Sequence, residues 1–275
     1  MARDIVAYFE YMVPFQQASA SQLTRLRKLQ KRKYRREYGL FLAEGHRTVL
    51  QIVEQGALAI SEIFVTEHYL GEYGYALLPD TTFICAEKEM RSIADADSPQ
   101  GIVAVCAIPE PANLDSVAKK PGKVVAFDRI QDPGNMGTII RTAAWFGVDL
   151  LMIGEGSADI WNPKVVRSTA GATGSIAYAE CDLSLELERF SQMGWRPALL
   201  DGNSGSQPIE EWDPGMRTIL VVGNEANGVS PELAERFERF RIDSAPGQNA
   251  AESLNASIAA GIALYVLTQK SVNRI

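Results

Sequence analysis

The sequence predicts an α/β protein in two parts. Three observations carry this. Short apolar runs alternate with amphipathic stretches along most of the 275 residues. A Pro-rich, polar stretch at 109–122 divides two such series. In the second series the runs are almost wholly apolar, the pattern of parallel strands covered on both faces.

Composition narrows the class. An apolar fraction of 46% is that of a globular chain with ample core. The net charge of −7 does not advertise a nucleic-acid partner for the molecule as a whole. The three cysteines, Cys85, Cys106 and Cys181, stand far apart with no metal or disulfide spacing. A reducing, cytoplasmic setting without a bound metal is therefore expected. No run reaches the length of a membrane span, and Asp4 and Glu10 interrupt any signal-peptide layout.

Residues 1–20 are expected to form an appended arm, apolar through Ile5, Tyr8, Phe9 and Phe15 but broken at Pro14. Residues 21–36 read as one basic helix carrying Arg25, Arg27, Lys28, Lys31, Arg32, Lys33, Arg35 and Arg36. Such a run is often only a solvated face. Its arginine density favours contact with phosphate, through Arg32, Lys33, Arg35 and Arg36, and Arg47 joins them. Strands follow at 40–43, 63–65, 83–85 and 102–107. Helices lie between them through Val49 to Val53 (stopped by Gly56), over 69–75 and over 87–94. Residues 21–108 thus form a small α/β domain, 109–122 a linker and 123–275 a second domain.

The second domain repeats the alternation. Strands are predicted at 124–127, 150–153, 175–178, 197–200, 219–222 and 240–242. Helices are predicted at 138–146, 163–170, 183–193 and 231–237, with a long apolar helix from Asn255. Ser253 or Asn255 would cap that helix, which is apolar nearly all round and reads as buried.

Open parallel sheets bind ligands at the carboxyl ends of their strands. Three loops leave such ends: Asp128 to Gly137, leading to Arg141; Gly223 to Pro231; and Glu252-Ser253-Leu254-Asn255. Each alone is equally a turn or a helix cap, and the three together are harder to explain that way. The dinucleotide G-x-G-x-x-G spacing, the phosphate loop and the G-x-S-x-G elbow are all missing. Both histidines, His46 and His68, lie in the first half, so the second domain has none for a nucleophilic triad.

Asn135-Met136-Gly137-Thr138-Ile139-Ile140-Arg141 through Gly147 resembles the first motif of the SpoU (TrmH-like) RNA 2′-O-ribose methyltransferases, of the SPOUT superfamily. Gly223-Asn224-Glu225-Ala226-Asn227-Gly228-Val229-Ser230 resembles the second, and Glu252-Ser253-Leu254-Asn255 with its helix the third. The match covers about 123–268. More loosely, Phe41-Leu42-Ala43-Glu44-Gly45 and Ser98-Pro99-Gln100-Gly101-Ile102 are similar to the ribosomal-protein-like substrate-binding domain that often precedes this catalytic domain.

The resemblance implies a Rossmann-like sheet with a C-terminal deep trefoil knot, S-adenosylmethionine as cofactor, and a homodimer through the catalytic domain. By analogy Leu199, Gly202, Gly223, Glu225, Gly228, Ile242 and Leu254 would hold the cofactor. Asn135, Arg141, Glu225, Ser253 and Asn255 would line the reaction centre. One departure stands out: Ile242-Asp243-Ser244 occupies the place of the family's Ile-Pro-Met. The family proposal makes the arginine a general base. A guanidinium stays protonated, so Arg141 reads equally as a phosphate clamp that favours a developing alkoxide, with Glu225 as the other proton acceptor. The expected activity is 2′-O-methylation of RNA, ribosomal RNA ahead of transfer RNA. The competing class is an RNA-binding protein that kept the fold without catalysis.

Overall fold

The computed structural model describes residues 15–74, 76, 78–203, 205–245 and 253–272. Glu252 and the first fourteen residues of the expected arm lie outside them. The described residues fall into two compact units. One runs up to Ile108 and also takes in Trp161–Gly171; the other comprises Pro109–Ile160 and the chain from Ala172 onward.

The first unit contains β1 (Gln16–Gln17), α1 (Ala20–Leu29), α2 (Arg32–Tyr38), β2 (Leu40–Glu44), α3 (His46–Gln55), β3 (Ile60–Val65), α4 (Glu67–Tyr73), β4 (Thr82–Ile84), α5 (Glu87–Ile93) and β5 (Ile102–Ala107). Its sheet runs β1-β4-β3-β5-β2, with β5 antiparallel to β2 and β3. The end of the expected arm is therefore built in. Gln16 and Gln17 extend the sheet beside Phe83 and Ile84, and Ser19 opens α1 through a capping box with Gln22.

The single basic helix expected over 21–36 is two helices. Lys31 is extended at φ −101°, ψ 130°, which ends α1 and starts α2. Leu23, Leu26 and Leu29 bury one stripe of α1 against Leu42, Phe64 and Val105. Arg35 is 2% exposed, and its Nη1 donates to the carbonyls of Leu29 (2.8 Å) and Gln30 (2.9 Å). It closes the otherwise unpaired end of α1, so it is removed from the set expected to touch RNA.

The second unit begins with α6 (Leu114–Ala118) and β6 (Gly122–Asp128), then α7 (Pro133–Trp145) and β7 (Leu150–Ile153). The next helix, α8 (Pro163–Ser168), belongs to the first unit. There Trp161 packs on Phe41 with ring centroids 4.8 Å apart. Arg167 pairs with Glu44 and, at 3.0 Å, with Asp95. The second unit resumes with β8 (Ala177–Glu180), α9 (Leu183–Gln192), β9 (Arg196–Leu200), β10 (Gln207–Pro208), β11 (Arg217–Gly223), α10 (Pro231–Ala234), β12 (Glu238–Arg241) and α11 (Ala256–Val272).

Its seven strands are all parallel, in the order β10-β12-β9-β11-β6-β7-β8. From β6 the chain first builds outward through β7 and β8. It then returns to place β9, β11 and β12 on the other side. The order reverses between β6 and β11, where open α/β sheets form a crevice. Val124, Ala126, Met152, Phe190, Trp195, Leu199 and Val221 fill one core layer. The stretch expected as a linker contributes to it: Ala118 is buried, and its carbonyl accepts the Trp195 indole N–H at 3.0 Å. The last helix is one-sided, not buried all round. Ala260, Ala263, Leu264 and Leu267 are buried, whereas Ile258, Ile262 and Tyr265 are exposed.

Candidate active site

The strands flanking the switch end level, with Asp128 of β6 opposite Gly223 of β11. Two loops leave this point, and side chains bind them to one another. Asp128 is buried; its Oδ2 accepts the Ser230 N–H at 2.6 Å, and its Oδ1 pairs with Arg129 Nε at 3.2 Å. Asn224 Nδ2 donates to the Arg129 carbonyl at 2.9 Å, while its Oδ1 accepts the N–H groups of Ala226 and Asn227. That is an Asx turn folding the β11 loop back on itself. Gly223 is essential to it, because a Cβ there would lie 2.3 Å from the Val229 nitrogen and 2.4 Å from the Gly228 carbonyl carbon.

Asp132 begins α7 by accepting the Asn135 N–H at 2.7 Å, with Pro133 in the first turn. Asn135 therefore sits inside the helix, and its side chain is free for other work. Its Nδ2 donates to Glu225 Oε1 at 3.1 Å, and its Oδ1 accepts from Asn255 Nδ2 at 3.0 Å. Glu225 also accepts the backbone N–H groups of Gln131 (3.4 Å) and Asp132 (3.3 Å). Asn255 Oδ1 meanwhile accepts the Ser257 N–H at 2.9 Å and caps α11. One chain of hydrogen bonds, Glu225 to Asn135 to Asn255, thus joins the three loops singled out in the sequence.

Arg141 lies farther along α7, exposed, and bonds to no described residue. Ser253 and Leu254 are also exposed. Gly202 follows β9 with no described residue within 4 Å of a Cβ built on it, and Ile242 follows β12, half-buried. Asp243 is paired with Arg241 at 2.7 Å, so its charge is compensated. Leu199 departs from expectation. It is fully buried in the core, and β9 is paired through it to Val221 on one side and Arg239 on the other. It offers a ligand neither side chain nor edge. In the first unit Arg32, Lys33, Arg36 and Arg47 are exposed, and the Lys28 and Lys33 ammoniums lie 5.4 and 5.8 Å over the Tyr34 ring.

Asp128 and Asn224 were missed as framework residues. The available signal was residue type: Asp or Asn at the exit of an apolar strand bonds the following backbone. Among the described residues no cluster of His, Cys, Asp and Glu has the make-up of a metal site, and no helix is long and apolar enough to cross a membrane.

Residues 122–265 match the model of the SpoU rRNA methylase family. The chain belongs to this family. Residues 21–104 match the MRM3-like substrate binding domain. The SpoU chain is 30% identical to the 23S rRNA (guanosine(2553)-2′-O)-methyltransferase RlmP of Bacillus subtilis, over 88% of this chain and 93% of that one. It is 25% identical to the mitochondrial rRNA methyltransferase 3 of Mus musculus, over 85% and 68%. Among solved structures it resembles the AdoMet-bound rRNA methyltransferase from Sinorhizobium meliloti at a TM-score of 0.78 and 26% identity, covering 94% and 98% of the two chains. A putative TrmH-family RNA methyltransferase from Porphyromonas gingivalis gives 0.75 and 29%, covering 91% and 98%.

Proposed function

We propose that this SpoU-family chain methylates a ribose 2′-hydroxyl of RNA, using S-adenosylmethionine, and that its substrate is ribosomal rather than transfer RNA. The Glu225–Asn135–Asn255 chain at the switch point, with the Arg141 guanidinium on the same helix exposed and bonded to no described residue, carries this reading. A first unit that matches a substrate-binding domain favours ribosomal RNA.

The loops fit the cofactor. The backbone at Gly223 can carry no side chain, no described residue lies within 4 Å of a Cβ built on Gly202, and Leu254 offers exposed apolar surface at the neighbouring loop. Gly202, Gly223, Gly228, Ile242 and Leu254 would hold it, and when bound it supplies an activated methyl group on a sulfonium. Asn135 and Asn255 orient the loops and the ribose. Glu225, already accepting three hydrogen bonds, orders the loop that begins α7. Arg141 clamps a phosphate next to the target ribose and favours the developing alkoxide, the 2′-hydroxyl proton passing to the Glu225 carboxylate or to water. Ser253 stands at the entrance to the same centre.

The reading extends to assembly. Trp145 is 84% exposed on α7, and Ile258, Ile262 and Tyr265 are exposed on α11, which packs against it. An apolar patch of this kind suits a second copy of the chain. The trefoil knot and a cytoplasmic location belong to the same proposal. The test is methyl transfer from labelled cofactor to total RNA, followed by mapping of the 2′-O-methyl position. Label on ribosomal RNA supports the reading. Label on transfer RNA alone moves the substrate, and cofactor binding without transfer to any RNA overturns catalysis.

A further inference from the structure

The first unit carries a group of rings that packing alone does not account for. Glu44 at the end of β2 and Val65 at the end of β3 lie beside Val103 and Ile102 at the start of β5. Three turns therefore meet at one end of the sheet, and they are locked together. Gln100 Oε1 accepts the His46 N–H at 2.8 Å. Thr66 Oγ1 accepts the Tyr69 N–H at 3.2 Å, and the Thr66 N–H donates to the Gly101 carbonyl at 2.9 Å. Gly101 is left-handed at φ 75°, and a Cβ on it would lie 2.7 Å from Thr66 Oγ1.

This frame holds the His46 ring against Tyr73, with centroids 4.0 Å apart and planes at 27°. The Tyr69 hydroxyl, 2.9 Å from His46 Nδ1, fixes the imidazole from behind. Tyr69 is buried, but Tyr73 is 49% exposed. Gln100 is exposed, and its amide nitrogen bonds to no described residue; Arg47 is exposed one position beyond His46.

We propose that an unpaired nucleobase of RNA stacks on the Tyr73–His46 ring pair. The inference rests on the reading that the first unit meets RNA, and it names the contact. A flat, half-exposed ring held by its neighbours is a platform that any base can use. The Gln100 amide supplies a donor for a base edge, and Arg47 supplies charge for the adjoining backbone. His68 and Glu72 on α4 are strongly exposed, so the surroundings are too polar for a lipid surface. Glu67 and Glu72 also repel phosphate from the α4 side, which selects a base face there over backbone.

The test uses the full chain without cofactor. Binding of a short single-stranded oligoadenylate containing one 2-aminopurine is followed by fluorescence, with a fully paired duplex as the control. Tyr73→Ala should weaken single-strand binding between about fivefold and a hundredfold and reduce the 2-aminopurine quenching. Duplex affinity and the salt slope should stay unchanged, and Tyr73→Phe should restore the wild-type values. Single-strand binding by Tyr73→Ala within twofold of wild type overturns the proposal (roughly, by the same stacking scale). Equal loss on duplex and single strand, or failure of the wild-type chain to bind the oligonucleotide, overturns it as well. Cofactor binding by calorimetry is measured separately. A chain that stacks the base but binds no cofactor contradicts the methyltransferase reading and leaves the platform standing.

Discussion

Asn255→Ala should damage the second unit in two separable ways. The Asn255 Oδ1 caps α11 through Ser257 and Ile258, and Nδ2 reaches Asn135 across the site. Loss of an N-cap costs about 1 kcal/mol, and loss of a neutral hydrogen bond about 0.5–1.5 kcal/mol. Together they amount to about 1.5–2.5 kcal/mol, or roughly 3–10 °C in apparent melting temperature for a unit of this size. Asn255→Asp keeps an acceptor for the cap but loses the donor to Asn135, so it should show only about half of that loss. A double-mutant cycle with Asn135→Ala should give a coupling of about 0.5–1.5 kcal/mol. The assay is thermal unfolding by circular dichroism, with cofactor titration on each variant. If Asn255→Asp is as unstable as Asn255→Ala, or the cycle shows no coupling, the double role assigned to this side chain is wrong.

Further expectations follow from individual contacts. Arg141→Ala should change stability by less than about 0.5 kcal/mol, since the guanidinium bonds to no described residue, yet abolish methyl transfer; near-normal transfer by a variant that still binds cofactor would exclude both roles considered for it. Gly223→Ala should unfold the β11 loop and lose cofactor binding by calorimetry, while Gly202→Ala, with no described residue within 4 Å, should keep the fold intact in the same melts. Arg32→Ala, Lys33→Ala and Arg36→Ala combined should weaken RNA binding and flatten its salt dependence, whereas Arg35→Met should lower the melting temperature without changing that slope. Burial pushes the thiols of Cys85, Cys106 and Cys181 from 9.0 up to about 12. They should resist thiol reagents at neutral pH, and the stability gained by keeping them protonated should be present below about pH 9 and fall away toward pH 12; rapid labelling of native protein at neutral pH would contradict this.

The two α/β series and the strand-end loops were legible because each rests on local chemistry. Gly56 stops α3, Pro133 starts α7, and continuous apolar runs such as Val124 to Phe127 have no other home than a buried parallel strand. The meeting of Asn135, Glu225 and Asn255 was legible only through the family motifs, since no periodicity relates residues 90 and 120 positions apart. What stayed hidden depends on distant partners. Arg35 looks like its neighbours in a charge run until the carbonyls at the end of α1 claim it. Leu199 took a cofactor role by analogy with the family, but β11 and β12 close over it from both sides. Gln16 and Gln17 pair with β4 without any alternation that two residues could display.

The capture of Trp161–Gly171 by the first unit sets an order on biogenesis. When the ribosome has made Ile108, every strand of that unit's sheet has been synthesised, but Phe41 lacks its Trp161 neighbour and Glu44 its Arg167. Glu44 must then keep its carboxylate on the Asp95 and Ala96 N–H groups alone. The missing partner arrives 123 residues after Glu44. At ordinary elongation rates the ribosome takes on the order of 3–12 s to go from Ile108 to Arg167. Throughout that interval Phe41 is without the Trp161 ring and Glu44 without the Arg167 guanidinium.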